Sequence, residues 1–219
     1  MRKLTFAFIV TLLAIPAAAQ GIYYSGPTNG NTDAWTVNFG YVTSDRFSVP
    51  YEVRIWGASF AMWLFPGDTL TSAELSITSG ANGGTIYFDE MENFTQTGCV
   101  QNRYGYNVCT ETSDFVGPIL AGGTYWLNLQ NARVASGDPV YWDENSGGAH
   151  SWPPGASQNG VGSIPAESFT LQGGCGGDGR DCLASSTTPE QSTVPEPGSM
   201  LLLASGLLGL TAWLRRRRF

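Results

Sequence analysis

Thr124-Tyr125-Trp126-Leu127-Asn128-Leu129-Gln130 decides the fold class of this chain. Tyr125, Leu127 and Leu129 alternate with polar or amphipathic neighbours, so one face of an extended strand is apolar and the other is not. The same period of two recurs outward from this stretch. Trp35, Val37, Phe39 and Tyr41 alternate with Thr36, Asn38 and Gly40, and Tyr51, Val53 and Ile55 alternate with Glu52 and Arg54. Leu75 and Ile77 form a short alternation, as do Ile86 and Phe88, with Asn82-Gly83-Gly84 as the hairpin turn between them. Ser59 to Phe65 is apolar after its first residue and predicts a strand covered on both faces, ended by Pro66-Gly67-Asp68. Asp114–Leu120, Val140–Trp142 and Ser168–Leu171 complete about nine strands. Turn residues recur at the spacing of an all-β protein, and helical periodicity is nearly absent. The expectation is a single β-sandwich of jelly-roll or Greek-key type over residues 20–172. Residues 173–193, rich in Gly, Ser, Thr and Pro, read as a linker.

Neither end of the chain belongs to that body. Met1-Arg2-Lys3 is a basic start, Leu4–Ile15 is mostly apolar, and Pro16 precedes Ala17-Ala18-Ala19. This is the pattern of a signal peptide over residues 1–19, and it predicts passage through the Sec translocon and cleavage by signal peptidase. At the other end, Gly198 to Leu214 is a run of 17 residues without a charge. As a helix that length just crosses a bilayer core, which takes roughly 17–25 residues. Arg215, Arg216, Arg217 and Arg218 follow and hold that end in the cytoplasm, with the body outside.

Val194-Pro195-Glu196-Pro197-Gly198, the apolar run 198–214 and the arginine tail 215–218 stand in that order over residues 194–219. This arrangement resembles the PEP-CTERM sorting signal of bacterial surface and exopolymer proteins. The resemblance implies recognition by an exosortase, a membrane cysteine protease-transpeptidase, with cleavage near Pro195-Glu196-Pro197. It also implies an inner-membrane anchor before processing, then a place at the cell surface or in the extracellular matrix. A second resemblance covers residues 120–132, 140–148 and 164–169, which are similar to a recurring β-sandwich ectodomain of PEP-CTERM proteins. It implies a fold and no chemistry.

Between Gln20 and Glu196, five arginines stand against all 18 acidic residues, a formal charge of −13. Such a surface repels phosphate and excludes nucleic acid as a partner. The four cysteines form two close pairs, and export makes disulfides Cys99–Cys109 and Cys175–Cys182 the expected pairing. The residues between Cys99 and Cys109 are expected to turn back as a hairpin.

Catalytic hardware is sparse. His150 is the only histidine, in a Gly/Pro-rich loop without a nucleophile elbow, and the only lysine is Lys3. Asp89, Glu90 and Glu92 would have to meet Asp143 or Glu144 to make a glycosidase pair, because neighbours on a strand point to opposite faces. Asp138, Asp143, Glu144 and Asn145 supply hard oxygen ligands in one region and are the candidate set for a structural calcium ion; no other cofactor is expected. Trp142 and Trp152 flank Gly147-Gly148 and are candidate platforms for stacking a sugar ring. The expectation is therefore a non-enzymatic structural or adhesive module. A carbohydrate-binding domain contacting extracellular polysaccharide is the first alternative, and a secreted glycan-active hydrolase the second.

Overall fold

A computed structural model describes residues 21–145 and 155–175. All of them belong to the unit Met1–Cys182; a second unit, Leu183–Phe219, lies outside the described residues. So do the expected signal peptide, the sorting helix 198–214 and the arginine tail, together with His150 and Trp152.

Among the described residues there are 14 strands and no helix. In chain order they are β1 (Gly21–Tyr24), β2 (Ala34–Thr36), β3 (Thr43–Val49), β4 (Val53–Leu64), β5 (Ser72–Gly80), β6 (Gly83–Asn93) and β7 (Thr95–Gln101). They continue as β8 (Asn107–Asp114), β9 (Ile119–Leu120), β10 (Gly123–Arg133), β11 (Tyr141–Asp143), β12 (Ala156–Gln158), β13 (Gly162–Ile164) and β14 (Phe169–Cys175). Two antiparallel sheets form the sandwich. One runs β13-β12-β3-β10-β5-β6. The other is built on β4, which pairs with β14 and β11 along one edge and with β9 and β8 along the other, while β1, β2 and β7 extend it. The neighbours of β10 are β3 and β5, so the chain crosses between sheets rather than meandering within one.

The core follows from the alternation. Tyr125, Leu127 and Leu129 turn inward from β10 and meet Phe47, Leu75 and Ile77 of the adjacent strands. Ile55, Phe60 and Met62 of β4 and Phe169 and Leu171 of β14 supply the opposing face. Each large side chain so buried contributes about 1.5–3 kcal/mol. From Phe60 to Leu64 every residue of β4 is buried, as its unbroken apolar run requires.

Besides the short strands β1, β7, β12 and β13, which the alternation does not single out, four segments depart from the sequence expectation. The Trp35–Tyr41 alternation stops at Thr36: Phe39 and Gly40 take left-handed conformations (φ 57° and 86°), the chain turns, and Phe39 and Tyr41 are exposed. The stretch 114–120 is not one strand, because Pro118 has no N–H for a ladder and Gly117 packs on the Ile55 carbonyl, where a Cβ would lie 2.6 Å from the oxygen. The polar stretch 43–49 is a central strand. Finally, β14 continues to Cys175, so Gly173 and Gly174 are strand residues rather than linker. Gly173 lies so close to the Arg54 carbonyl and the Ile22 side chain that no Cβ fits there.

Candidate functional site

Trp142 does not offer a surface to any ligand. It has 0 % of its surface exposed, stands edge-on to Phe60 and Phe169 (ring centroids 5.3 and 5.6 Å), and donates its indole N–H to the Ser168 carbonyl at 2.9 Å. The core position of β11, between β2 and β4, turns this ring inward. The expectation that Trp142 stacks on a sugar is therefore corrected.

Asp143, the next residue, is also buried, and its carboxylate is fully engaged by N–H donors. It accepts from the Asn29 amide N–H at 2.8 Å, the Gly30 N–H at 2.9 and 3.0 Å, and the Trp63 indole at 2.6 Å. Burial raises its pKa to about 6, against the pull of these three donors. Asp138 uses its backbone instead, its carbonyl accepting from Asn38 and its N–H donating to Ser136. Glu144 contributes backbone too: its carbonyl receives the Asn29 N–H, and it bridges to Glu167. Among the described residues no three Asp, Glu, His or Cys groups are placed to hold a metal ion, so Asp138, Asp143 and Glu144 do not assemble as a cation site. Asp89 and Glu92 sit on the edge strand β6, where partial burial and neighbouring acids raise them, and Asp143 lies in the other sheet.

Other buried acids surround Asp143. Asp45 accepts from the Glu167 N–H at 2.7 Å and the Arg46 N–H at 2.6 Å, and burial raises it to about 7. Glu167 is entirely buried, neither carboxylate oxygen has a hydrogen-bond partner, and desolvation together with Asp45 and Asp143 drives its pKa well above the usual range. These groups order the fold around β11 and do not face solvent.

What Asp143 does is join two walls of a cleft. Its backbone donors belong to residues 28–31; its indole donor, Trp63, packs against Tyr104 and Tyr106 at the tip of the β7–β8 hairpin (centroids 5.8 and 5.7 Å). Between the 28–31 segment and the hairpin lies an opening of about 320 Å³. Asn29, Asn31, Gln101, Asn102 and Thr110 line it, with Val100 and Val108 as its apolar patches. The walls touch directly where the Arg103 N–H donates to Asn31 Oδ1 at 3.2 Å. None of these residues stood out in the sequence; the one signal is two short amide-rich runs, 28–32 and 101–102, about 70 residues apart.

The hairpin is held by the disulfide Cys99–Cys109, as its spacing predicts. Gly98, at φ 61°, makes the bulge that shifts the register between Thr97 and Val100 and brings Cys99 beside Cys109. Cys175 is also disulfide-bonded; its expected partner, Cys182, lies outside the described residues. Opening the hairpin bridge in a Cys99→Ser/Cys109→Ser variant frees a loop of about ten residues and costs about 2–3 kcal/mol. The expected reading is a melting temperature lower by roughly 5–10 °C. A shift below one degree would show that the bridge is not a structural staple.

Residues 193–218 match the family model for the PEP-CTERM protein-sorting motif. The match covers the tail alone and lies outside the described residues. No curated protein matches the chain. A tail of this kind marks an exported, surface-exposed protein that an exosortase sorts and processes.

Proposed function

We propose that this chain is a non-enzymatic surface or exopolymer-associated protein whose β-sandwich serves as a structural or adhesive module outside the cell. The single observation that carries this reading is the sorting-motif match at residues 193–218. On this reading residues 1–19 direct export and are removed by signal peptidase. The span 198–214 then holds the chain in the inner membrane, with Arg215–Arg218 on the cytoplasmic side. The exosortase cuts near Pro195-Glu196-Pro197, and the sandwich passes to the cell surface or matrix.

The body suits that setting. Its hairpin disulfide persists in an oxidising exterior. The chain's excess of 18 acidic over 11 basic residues favours solubility and repels nucleic acid. The reading requires no cofactor, and a stabilising calcium ion would have to bind elsewhere than at Asp143, whose oxygens already face N–H donors. Contact with extracellular polysaccharide is the second reading, and the polar cleft between residues 28–31 and the hairpin favours it over catalysis because no carboxylate lines it.

Mass spectrometry of the mature C-terminus tests the leading reading. In an exosortase-positive host the last residue is expected near Pro195–Pro197, and in a host without the enzyme the tail is retained. A mature chain ending beyond Leu214 in the exosortase-positive host would make residues 194–219 a plain anchor.

A further inference from the structure

The cleft between residues 28–31 and the β7–β8 hairpin has the chemistry of a binding site, and its hydrogen-bonding groups are incompletely used. Asn31 accepts the Arg103 N–H through Oδ1, which leaves its Nδ2 donors without a partner among the described residues. Gln101 donates to the Gly105 carbonyl at 3.2 Å, which leaves Oε1 to accept. Asn102 spends its oxygen on the Tyr104 and Tyr106 N–H groups, both at 3.0 Å, while its Nδ2 is buried with no acceptor. A donor on the 28–31 wall thus faces the opening opposite an acceptor on the hairpin wall. Val100, 70 % exposed, and Val108 offer apolar surface beside them.

Charge narrows the class of ligand. No charged side chain lines the cleft. A carboxylate or phosphate there would have no counter-charge from the lining, and the acidic body would repel it over a distance of roughly 10 Å. A cationic ligand would find amides but no carboxylate. What matches is a neutral molecule whose groups both donate and accept and whose rings have apolar C–H faces. At about 320 Å³ the opening lies near the lower end of ligand pockets and holds a short stretch of chain rather than a bulky molecule.

We propose that this amide-lined cleft binds a short segment of a neutral, hydroxyl-rich glycan, with Asn31 and Gln101 bonding its hydroxyls and Val100 and Val108 packing on a sugar face. The walls are pre-assembled by the Asp143 carboxylate and the Cys99–Cys109 bridge, so little ordering is left to oppose binding. The proposal rests on the polysaccharide reading of the protein's role, but not on the tail. A processed C-terminus with an inert cleft would sink this site and leave the surface-protein reading standing. A bound glycan with an unprocessed tail would do the reverse.

The test is calorimetric titration of the full-length chain, kept in an amine-oxide detergent that carries no sugar headgroup. The probes are cellohexaose, maltohexaose and mannohexaose, with a hyaluronan hexasaccharide as the anionic comparison. At least one neutral hexaose is expected to bind, and Asn31→Ala and Gln101→Ala are each expected to weaken it tenfold or more with the melting temperature unchanged. Both side chains are exposed, so the fold should survive their truncation. Should either alanine variant melt early, Asn31→Asp and Gln101→Met read the same loss, because the first turns the ligand-facing donor into an acceptor and the second removes the ligand-facing acceptor at similar side-chain length. Three results overturn the proposal: no neutral hexaose binds at 10 mM, binding is unchanged in the variants, or only hyaluronan binds.

Discussion

Replacing Asp143 with alanine is expected to lower the stability of the sandwich by about 3–5 kcal/mol, from buried N–H donors that lose a charged acceptor. The carboxylate is the common acceptor for the Asn29 and Gly30 backbone N–H groups and the Trp63 indole. Without it the Gly30 N–H and the Trp63 indole remain with no acceptor and the Asn29 N–H keeps only its longer bond to the Glu144 carbonyl at 3.3 Å, and each unmade bond costs about 1–3 kcal/mol. Because the same carboxylate ties residues 28–31 to the strand beneath the hairpin, the loss is also expected to change the fluorescence of the indole at position 63. Asp143→Asn restores only part, since an amide offers one acceptor oxygen and turns its own donors toward the remaining N–H groups. Chemical denaturation with and without calcium checks the assignment. The deficit is expected to be the same in both. A deficit seen only with calcium would return Asp143 to the role of cation ligand, and a deficit below 1 kcal/mol would remove it as the tie between the walls.

Stability is expected to fall as pH rises from 5 to 9, by a few kcal/mol, read as a lower melting temperature at alkaline pH. Glu111 on β8 is the main cause. It is fully buried, opposite Phe60 on β4, neither carboxylate oxygen has a hydrogen-bond partner, and burial raises its pKa to about 8. In the unfolded chain the same group ionises near its ordinary value, about 4.3. The folded state therefore holds the proton more tightly. That advantage is complete below the unfolded pKa and is lost as pH climbs through about 8. Asp45, raised to about 7, and the unpartnered Glu167 act in the same direction. Glu111→Gln stays neutral throughout and is expected to flatten the profile in part, with the residue left to Asp45 and Glu167. A melting temperature constant from pH 5 to 9, or a slope identical in Glu111→Gln, would show that these acids are ionised in the native state.

Much of the body was legible because its signals are local. The inward set Tyr125, Leu127 and Leu129, the doubly covered run up to Leu64, the turn at Asn82-Gly83-Gly84 and the Cys99–Cys109 hairpin all depend on residues within one or two strands of each other. The missed strand β3 shows the limit. Thr43, Ser44 and Asp45 look like a solvated loop, yet they are buried because Gln158, Asn128 and the Glu167 N–H reach them from 84 to 122 residues away. Gly173 misled for the same reason. Its glycine-rich surroundings read as linker, while the true cause of the glycine is the Arg54 backbone pressed against it. The cleft was invisible in sequence, since isolated asparagines and glutamines carry no period.

Alternation, turn residues, paired cysteines and a charge-flanked apolar tail determined an all-β body and a sorted destination, because each acts through neighbours or through the membrane and needs no partner far along the chain. Tertiary structure alone decided that Trp142 is core, that Asp143 faces N–H donors rather than a cation, and that residues 28–31 meet the hairpin. Those outcomes turn on which distant group lies opposite a polar atom once water is expelled, and one-dimensional order does not encode that proximity.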